Sequence, residues 1–179
     1  MRVVSGSLKG RPLVSPSTRL TRPMTAKTRG ALFDILGPID GLSVLDAYAG
    51  SGALGIEAIS RGADSVIAIE LGSEAIDAIR KNNQNLNLGH KLKLAATRVE
   101  SWLDAHSGQK FDLIFAMPPY SVLDRHTLSR LGHLLNPEGV LVVEYPRQED
   151  DFELEDIRLV KVKKYGDPQL AFYKNLQVS

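Results

Sequence analysis

Val44-Leu45-Asp46-Ala47-Tyr48-Ala49-Gly50-Ser51-Gly52-Ala53-Leu54-Gly55 is the stretch around which the other 167 of the 179 residues arrange themselves. Val44 and Leu45 have the apolar character of the end of a buried strand. Gly50, Ser51 and Gly52 form a turn without bulky side chains. From Ala53 the chain can run as a helix, with Leu54, Ile56, Ala58 and Ile59 on a buried face, and Arg61-Gly62 supplies a basic last turn and a C-terminal stop. A strand, a glycine turn and a helix make the first half of a nucleotide-binding βαβ unit. The glycines let a ligand approach the backbone, and the helix N-terminus offers it free N–H groups.

The same alternation continues outward. Strands are expected over 43–48, 65–70, 91–95, 111–116 and 140–144, and helices over 53–61, 73–88 (capped by Ser73), 100–105 and 124–135. Asn136-Pro137-Glu138-Gly139 reads as a turn before the fifth strand. Repeated βα units with apolar strands predict a doubly wound, mostly parallel α/β sheet of Rossmann-like form, covered on both faces. Stretches 157–164 and 169–175 flank Tyr165-Gly166-Asp167-Pro168 and predict a hairpin that puts an antiparallel edge on the sheet. Six acids between Glu149 and Asp156 predict a solvated loop.

The N-terminal side of the glycine turn differs in composition. Val3-Val4 and Leu13-Val14 flank Ser5-Gly6-Ser7-Leu8-Lys9-Gly10 as a short hairpin or extended arm, and 16–23 reads as a loop. Thr25 caps a helix whose apolar face is Thr28, Ala31, Leu32, Ile35 and Leu36; Lys27 and Arg29 are expected off that face, and Gly37-Pro38 stops it. The organisation expected is a basic extension over 1–38 packed on a main domain over 39–179. The net charge of +1 conceals an asymmetry: residues 1–29 hold seven basic and no acidic residues, which leaves a balance of −6 on the rest. A basic arm on an acidic body points to a polyanion held by the arm, with Arg2, Lys9, Arg11, Arg22 and Lys27 as candidate nucleic-acid contacts. A composition of 43% hydrophobic and 24% charged residues is that of an ordinary soluble domain. Absence of cysteine fits a reducing compartment, and no signal-peptide pattern or membrane-spanning window is present, so the expected location is the cytoplasm, without a membrane partner. The four histidines show no metal-ligand spacing, and Trp102 beside Leu103 has the spacing of helix packing.

Gly50-x-Gly52-x-x-Gly55 matches a dinucleotide fingerprint, with Glu70 about twenty residues on. By itself this says only that an adenosine ligand sits at the strand ends; NAD and S-adenosylmethionine both qualify. Two features favour the second. Asp46, at the end of the first strand, suits a cationic ammonium and is awkward beside a pyrophosphate. Met117-Pro118-Pro119-Tyr120 follows the fourth strand, where open α/β sheets bind ligands, and has no role in hydride transfer. Two prolines stiffen the backbone there and aim a carbonyl at a substrate amino group, and Tyr120 can stack on a base.

At this point the chain resembles class I S-adenosylmethionine-dependent methyltransferases acting on exocyclic amino groups, and more fully the bacterial 16S ribosomal RNA guanine-N2 methyltransferases, the RsmD family. The resemblance rests on Arg2-Val3-Val4-Ser5-Gly6, Gly10-Arg11, Arg22-Pro23-Met24-Thr25, Leu32-Phe33, the glycine stretch, Glu57-Ala58, Ser60-Arg61-Gly62-Ala63, Phe111-Asp112-Leu113-Ile114-Phe115, Pro118-Pro119-Tyr120 and Tyr165-Gly166. It implies a last strand that runs antiparallel, S-adenosylmethionine as methyl donor, and a guanine of small-subunit ribosomal RNA, in a small-subunit particle, as acceptor for a monomeric enzyme. Its cofactor residues carry over onto Asp46, Gly50, Gly52, Gly55 and Glu70, beside which Tyr48, Ser51, Leu71, Arg98 and Val99 are further cofactor-binding candidates. Pro118, Pro119 and Tyr120 correspond to its base-binding motif, with Met117 at the catalytic position.

The chain departs from the family at two places. The family has Asp, sometimes Asn, before Pro-Pro, where this chain has Met117. An aromatic amino group is a poor nucleophile, and a side-chain oxygen with a proline carbonyl normally directs its lone pair; a thioether is a weak acceptor. The adenine-contacting acid or amide expected after the third strand is also missing, with Thr97 or Arg98 near that place. A catalytically silent cofactor- and RNA-binding homologue is therefore the second reading, followed by an NAD-dependent oxidoreductase and a DNA methyltransferase.

Overall fold

The computed structural model describes residues 1–16 and 24–175. Its elements run α1 (Ala26–Leu36), β1 (Ser43–Asp46), α2 (Ala53–Ser60), β2 (Ser65–Glu70), α3 (Ser73–Leu86), β3 (Leu92–Ala96), α4 (Val99–Ala105), β4 (Phe111–Ala116), α5 (Arg125–Gly132), β5 (Leu135–Pro146), β6 (Ile157–Lys164) and β7 (Pro168–Asn175). One seven-stranded sheet has the order β3-β2-β1-β4-β5-β7-β6, with β3 through β5 parallel. The chain leaves β1 toward β2 on one side and returns through β4 on the other. That reversal makes a topological switch point at the carboxyl ends of β1 and β4, the place where such sheets take ligands. The doubly wound α/β architecture is the one expected.

Strand residues alternate between two cores, as a sheet covered on both faces requires. Val44, Val66, Leu113, Phe115, Val142 and Phe172 pack with α1, α2, α3 and with Val3 and Leu13 of the extension. Leu45, Ile69, Ile114, Leu141, Val143 and Tyr173 pack with Trp102 and Leu103 of α4 and Leu128 and Leu131 of α5.

Several expectations change at the level of detail. The antiparallel strand is not the edge: β7 pairs antiparallel with both β5 and β6, and the outermost β6 runs in the direction of β5. The turn expected at Asn136-Pro137-Glu138-Gly139 is an interruption inside β5: Phe111 pairs with Leu135, Leu113 with Val140, and Glu138 takes a φ of 62°. The N-terminal hairpin reduces to a single antiparallel bridge, Arg2 with Pro12. Ser73 is the first residue of α3 and not its cap; Gly72 occupies that position. The acidic stretch is solvated only at its acids, since Phe152 and Leu154 alternate with them and are buried. The loop expected over 16–23 falls, apart from Pro16, outside the described residues.

The largest correction is Arg29. It lies on the buried face of α1 with Leu32 and Phe33, and is 1% exposed. Its Nε donates to the fully buried Glu57 of α2 at 3.4 Å, and Nη2 donates to the carbonyl of Arg2 at 2.6 Å. Glu57 also accepts from the backbone N–H of Val4 at 2.8 Å and Ser5 at 2.9 Å, and from Arg61 Nε at 3.0 Å. A buried charge survives only when paired and hydrogen-bonded, and here the pairing fastens the extension to the main sheet. Gly6 shows how closely: a Cβ there would lie 1.8 Å from the carbonyl oxygen of Ser60, and its φ is +82°.

Candidate active site

The glycine turn is built by two left-handed residues, Gly50 (φ 55°) and Gly52 (φ 76°). Ala47 N–H donates to the Phe115 carbonyl of β4 at 2.9 Å and Ala49 N–H to the Ile69 carbonyl of β2 at 3.0 Å, so the turn begins as an extension of the sheet. α2 starts immediately after it, with Gly52 at its cap, a residue with no side chain to bond the helix's first N–H groups. Gly55 is needed for a different reason: a Cβ would lie 2.7 Å from Val66 Cγ1, so only glycine lets α2 sit this close to β2.

Asp46 ends β1 beneath this helix and is 1% exposed. Its Oδ2 accepts from Gly55 N–H at 3.1 Å, while Oδ1 is buried with no partner. Burial raises its carboxyl pKa to about 7; the Gly55 N–H opposes the shift and the nearby Glu70 charge adds to it. An orphaned buried carboxylate oxygen is expensive unless a cationic or donor group meets it. That chemistry fits an ammonium and disfavours a pyrophosphate.

Glu70 ends the neighbouring strand β2. Its Oε2 accepts from Gly50 N–H at 2.7 Å, and its Oε1 from the N–H groups of Leu71 and Gly72, both at 2.8 Å. The carboxylate therefore holds the glycine turn against the entrance of α3, a task that its spacing did not reveal. With about four lone-pair positions on a carboxylate, capacity for a further donor such as a ribose hydroxyl remains. Ser51 is buried, and its carbonyl accepts from Asn82 Nδ2 at 3.0 Å. Asn82, fully buried in α3, also pairs with both backbone groups of Val14, at 2.7 and 3.0 Å. It joins the N-terminal extension to the glycine turn. Nothing in its sequence context marks it, because the contact spans 68 residues.

The other candidates follow the carboxyl ends of the same parallel strands. Tyr48 is half-buried, and burial together with the Glu100 and Asp124 charges raises its phenol to about 12. Leu71 is exposed at the end of β2, while Arg98 is exposed and Val99 buried at the start of α4. Met117 is half-buried against the core that contains Phe115 and Val142; Pro118 is buried, and Pro119 and Tyr120 are exposed. Glu144, at the end of β5, was missed by the sequence reading. It faces the Tyr120 hydroxyl: burial pushes its carboxyl up and the phenol pulls it back, while burial and that carboxylate raise the phenol.

Of the basic candidates, Arg2, Lys9, Arg11 and Lys27 are exposed on the extension and α1. Arg2 donates to the Gly10 carbonyl at 2.8 Å and Arg11 to the Asn85 carbonyl of α3 at 2.9 Å. Arg22 lies outside the described residues. Trp102 is buried and stacks on His106, 4.4 Å between centroids, in a packing role. No helix among the described residues is long and apolar enough to cross a membrane.

Comparison with known proteins bears on the family and the fold. The profile of the family described as conserved hypothetical protein 95 matches residues 1–174. A Bacillus subtilis protein with the provisional name rRNA methyltransferase YlbH is 35% identical over 97% of this chain and 98% of its own length. The ribosomal RNA small subunit methyltransferase D of Escherichia coli K12 is 34% identical over 80% of this chain and 71% of its own. Among solved structures, an Escherichia coli protein provisionally named methyltransferase yhhF superposes with a TM-score of 0.88 at 29% identity, covering 98% of both chains.

Proposed function

The chain belongs to the conserved hypothetical protein 95 family, that of the ribosomal RNA small subunit methyltransferases D, and on that premise we propose that it methylates the exocyclic amino group of a guanine in small-subunit ribosomal RNA with S-adenosylmethionine as donor. The observation that carries this reading is Asp46. Its buried Oδ1, without a partner beneath the glycine turn, suits the ammonium of that donor. When bound, S-adenosylmethionine supplies an electrophilic methyl group on a sulfonium.

This chain's own residues then bind and orient. Asp46 meets the ammonium, the remaining acceptor capacity of Glu70 receives a ribose hydroxyl, and the open backbone at Gly50 admits the ligand, with nothing within 4 Å of where its Cβ would be. Tyr120 stacks on a guanine turned out of its RNA context. The Pro118 carbonyl accepts one amino N–H, so that the lone pair of the nitrogen can be aimed at the methyl. Close, oriented approach replaces covalent catalysis. The exposed Arg2, Lys9, Arg11 and Lys27 meet phosphates, and the buried extension that carries them is proposed to act as one body with the main domain.

A second reading, a silent homologue that binds cofactor and RNA without transfer, is favoured by Met117 alone, which packs on the apolar core where a side-chain oxygen is wanted. Single-turnover transfer of labelled methyl to small subunits lacking this modification tests both. Transfer to a mapped guanine N2 is the expected result. Tight binding of donor and RNA with no transfer would establish the silent reading, and preferential binding of NAD would remove the methyltransferase reading for this chain.

A further inference from the structure

Glu144 sits beside Met117 at the end of the sheet. In the parallel register of β4 and β5, Phe115 pairs with Val142 and Ala116 with Val143, and Met117 and Glu144 are the residues that follow this last pair on each chain segment. Phe115, Val142 and Met117 belong to one core, and Val143 and Tyr145 to the other. Alternation therefore turns Glu144 to the same side of the sheet as Met117. The carboxylate is half-buried and faces the hydroxyl of Tyr120, the ring assigned above to stack on the base. A stacking ring and a carboxylate thus border one space, one positioned for the face of a base and the other for its edge.

The chemistry of that edge is selective. An ionised carboxylate only accepts, through two oxygens side by side. Guanine presents two adjacent donors, N1–H and N2–H. Adenine and cytosine present one donor next to an acceptor, and uracil a single donor between two acceptors. Only guanine satisfies both oxygens, and a mismatched base leaves an acceptor facing an acceptor in a partly buried place. We infer that Glu144 reads the base: its carboxylate takes N1–H and one N2–H of the flipped guanine, and supplies the side-chain oxygen that Met117 does not. With the Pro118 carbonyl on the second N2–H, both hydrogens of the amino group are held and its lone pair is directed. This rests on the guanine methyltransferase reading of the site and adds to it the residue that selects the base.

The test uses the full chain saturated with S-adenosylhomocysteine, titrated with guanosine 5′-monophosphate and with adenosine 5′-monophosphate, and in parallel single-turnover transfer to small subunits. The parent should prefer the guanosine nucleotide about tenfold or more. Glu144→Gln, which offers one acceptor and one donor, should lose that preference or turn it toward adenosine, and should slow transfer on the order of 10²-fold. Tyr120→Ala, which removes the stacking ring, should weaken both nucleotides alike and keep their ratio. Retention of the guanosine preference by Glu144→Gln overturns the inference, as does its loss in Tyr120→Ala, because the ring and not Glu144 would then select the base. If the preference depends on Glu144 but no methyl reaches ribosomal RNA, the inference stands and the ribosomal substrate falls. If transfer to ribosomal RNA proceeds equally well in Glu144→Gln, the inference falls and the substrate stands.

Discussion

Two side chains at the strand ends carry most of the chemical argument. On the proposed function, Met117 occupies the place where an oxygen would orient the reacting amino group. Met117→Asp should therefore raise single-turnover methyl transfer on the order of 10²-fold, the scale of one well-aimed polar group. Asn should restore part of the gain and Ala none, since Ala relieves crowding without adding an acceptor. Equal rates for parent and Asp variant would remove Met117 from the catalytic position. Asp46 gives a pH prediction. Its folded-state pKa is raised from 3.8 to about 7. The folded chain thus keeps a proton that the unfolded chain releases, so this group's contribution to stability is full below about pH 4 and is lost as pH rises through about 7. The change is on the order of 4 kcal/mol. Without cofactor, Asp46→Asn should melt above the parent at about pH 8 and near it at about pH 5. In thermal unfolding followed by circular dichroism, a parent whose melting point does not fall over that range relative to the variant would contradict the orphaned carboxylate.

At the scale of elements, the interaction between α1 and α2 is the one to break. Arg29 and Glu57 are 1% and 0% exposed and tie both helices to the strand-like Val4-Ser5 segment. Removing one partner of a buried ion pair costs about 3–5 kcal/mol, because the other charge stays buried. Arg29→Met should fall toward the lower end of that range, since Glu57 keeps Arg61 and two backbone donors. Glu57→Leu should cost more, because it leaves Arg29 and the Val4 and Ser5 N–H groups without their acceptor. Urea unfolding of the two variants measures the difference; equal costs would mean that the backbone donors find other partners. Element types and order followed from apolar periodicity and glycine punctuation. Element ends did not, because caps here are chosen by tertiary contact. Glu70, not Ser73, receives the N–H groups ahead of α3.

At the scale of the molecule, hydrogen bonds join the basic extension to the glycine turn. Asn82 holds Val14 on one side and Ser51 on the other, and Arg11 reaches the carbonyl of Asn85. On the proposed function, the exposed cations of the extension meet RNA. Replacing Lys9, Arg11 and Lys27 together by Ala should lower the magnitude of the salt slope of RNA binding by about 2, at roughly 0.7–0.9 per lost phosphate contact. S-adenosylmethionine affinity should be unchanged, since none of the three touches the turn. Binding to small-subunit RNA measured across a salt series decides it: an unchanged slope would place the RNA elsewhere.

The sequence by itself determined the class of fold and the place of the glycine turn at the strand ends. Those depend on local patterns: glycines at fixed spacing and apolar strands of period two. Tertiary structure alone decided the fate of Arg29, the double duty of Glu70 and the approach of Glu144 to Tyr120. In sequence Arg29 is one of seven basic residues in an acid-free stretch, and its charge argues for solvent. It is buried because Glu57, 28 residues away, arrives from another helix with a matching charge. Glu144 ends an apolar strand like any solvated acid, and only the β4–β5 register and the fold of the Tyr120 loop bring it beside Met117. Pairings across such separations are set by packing, and no local pattern encodes them.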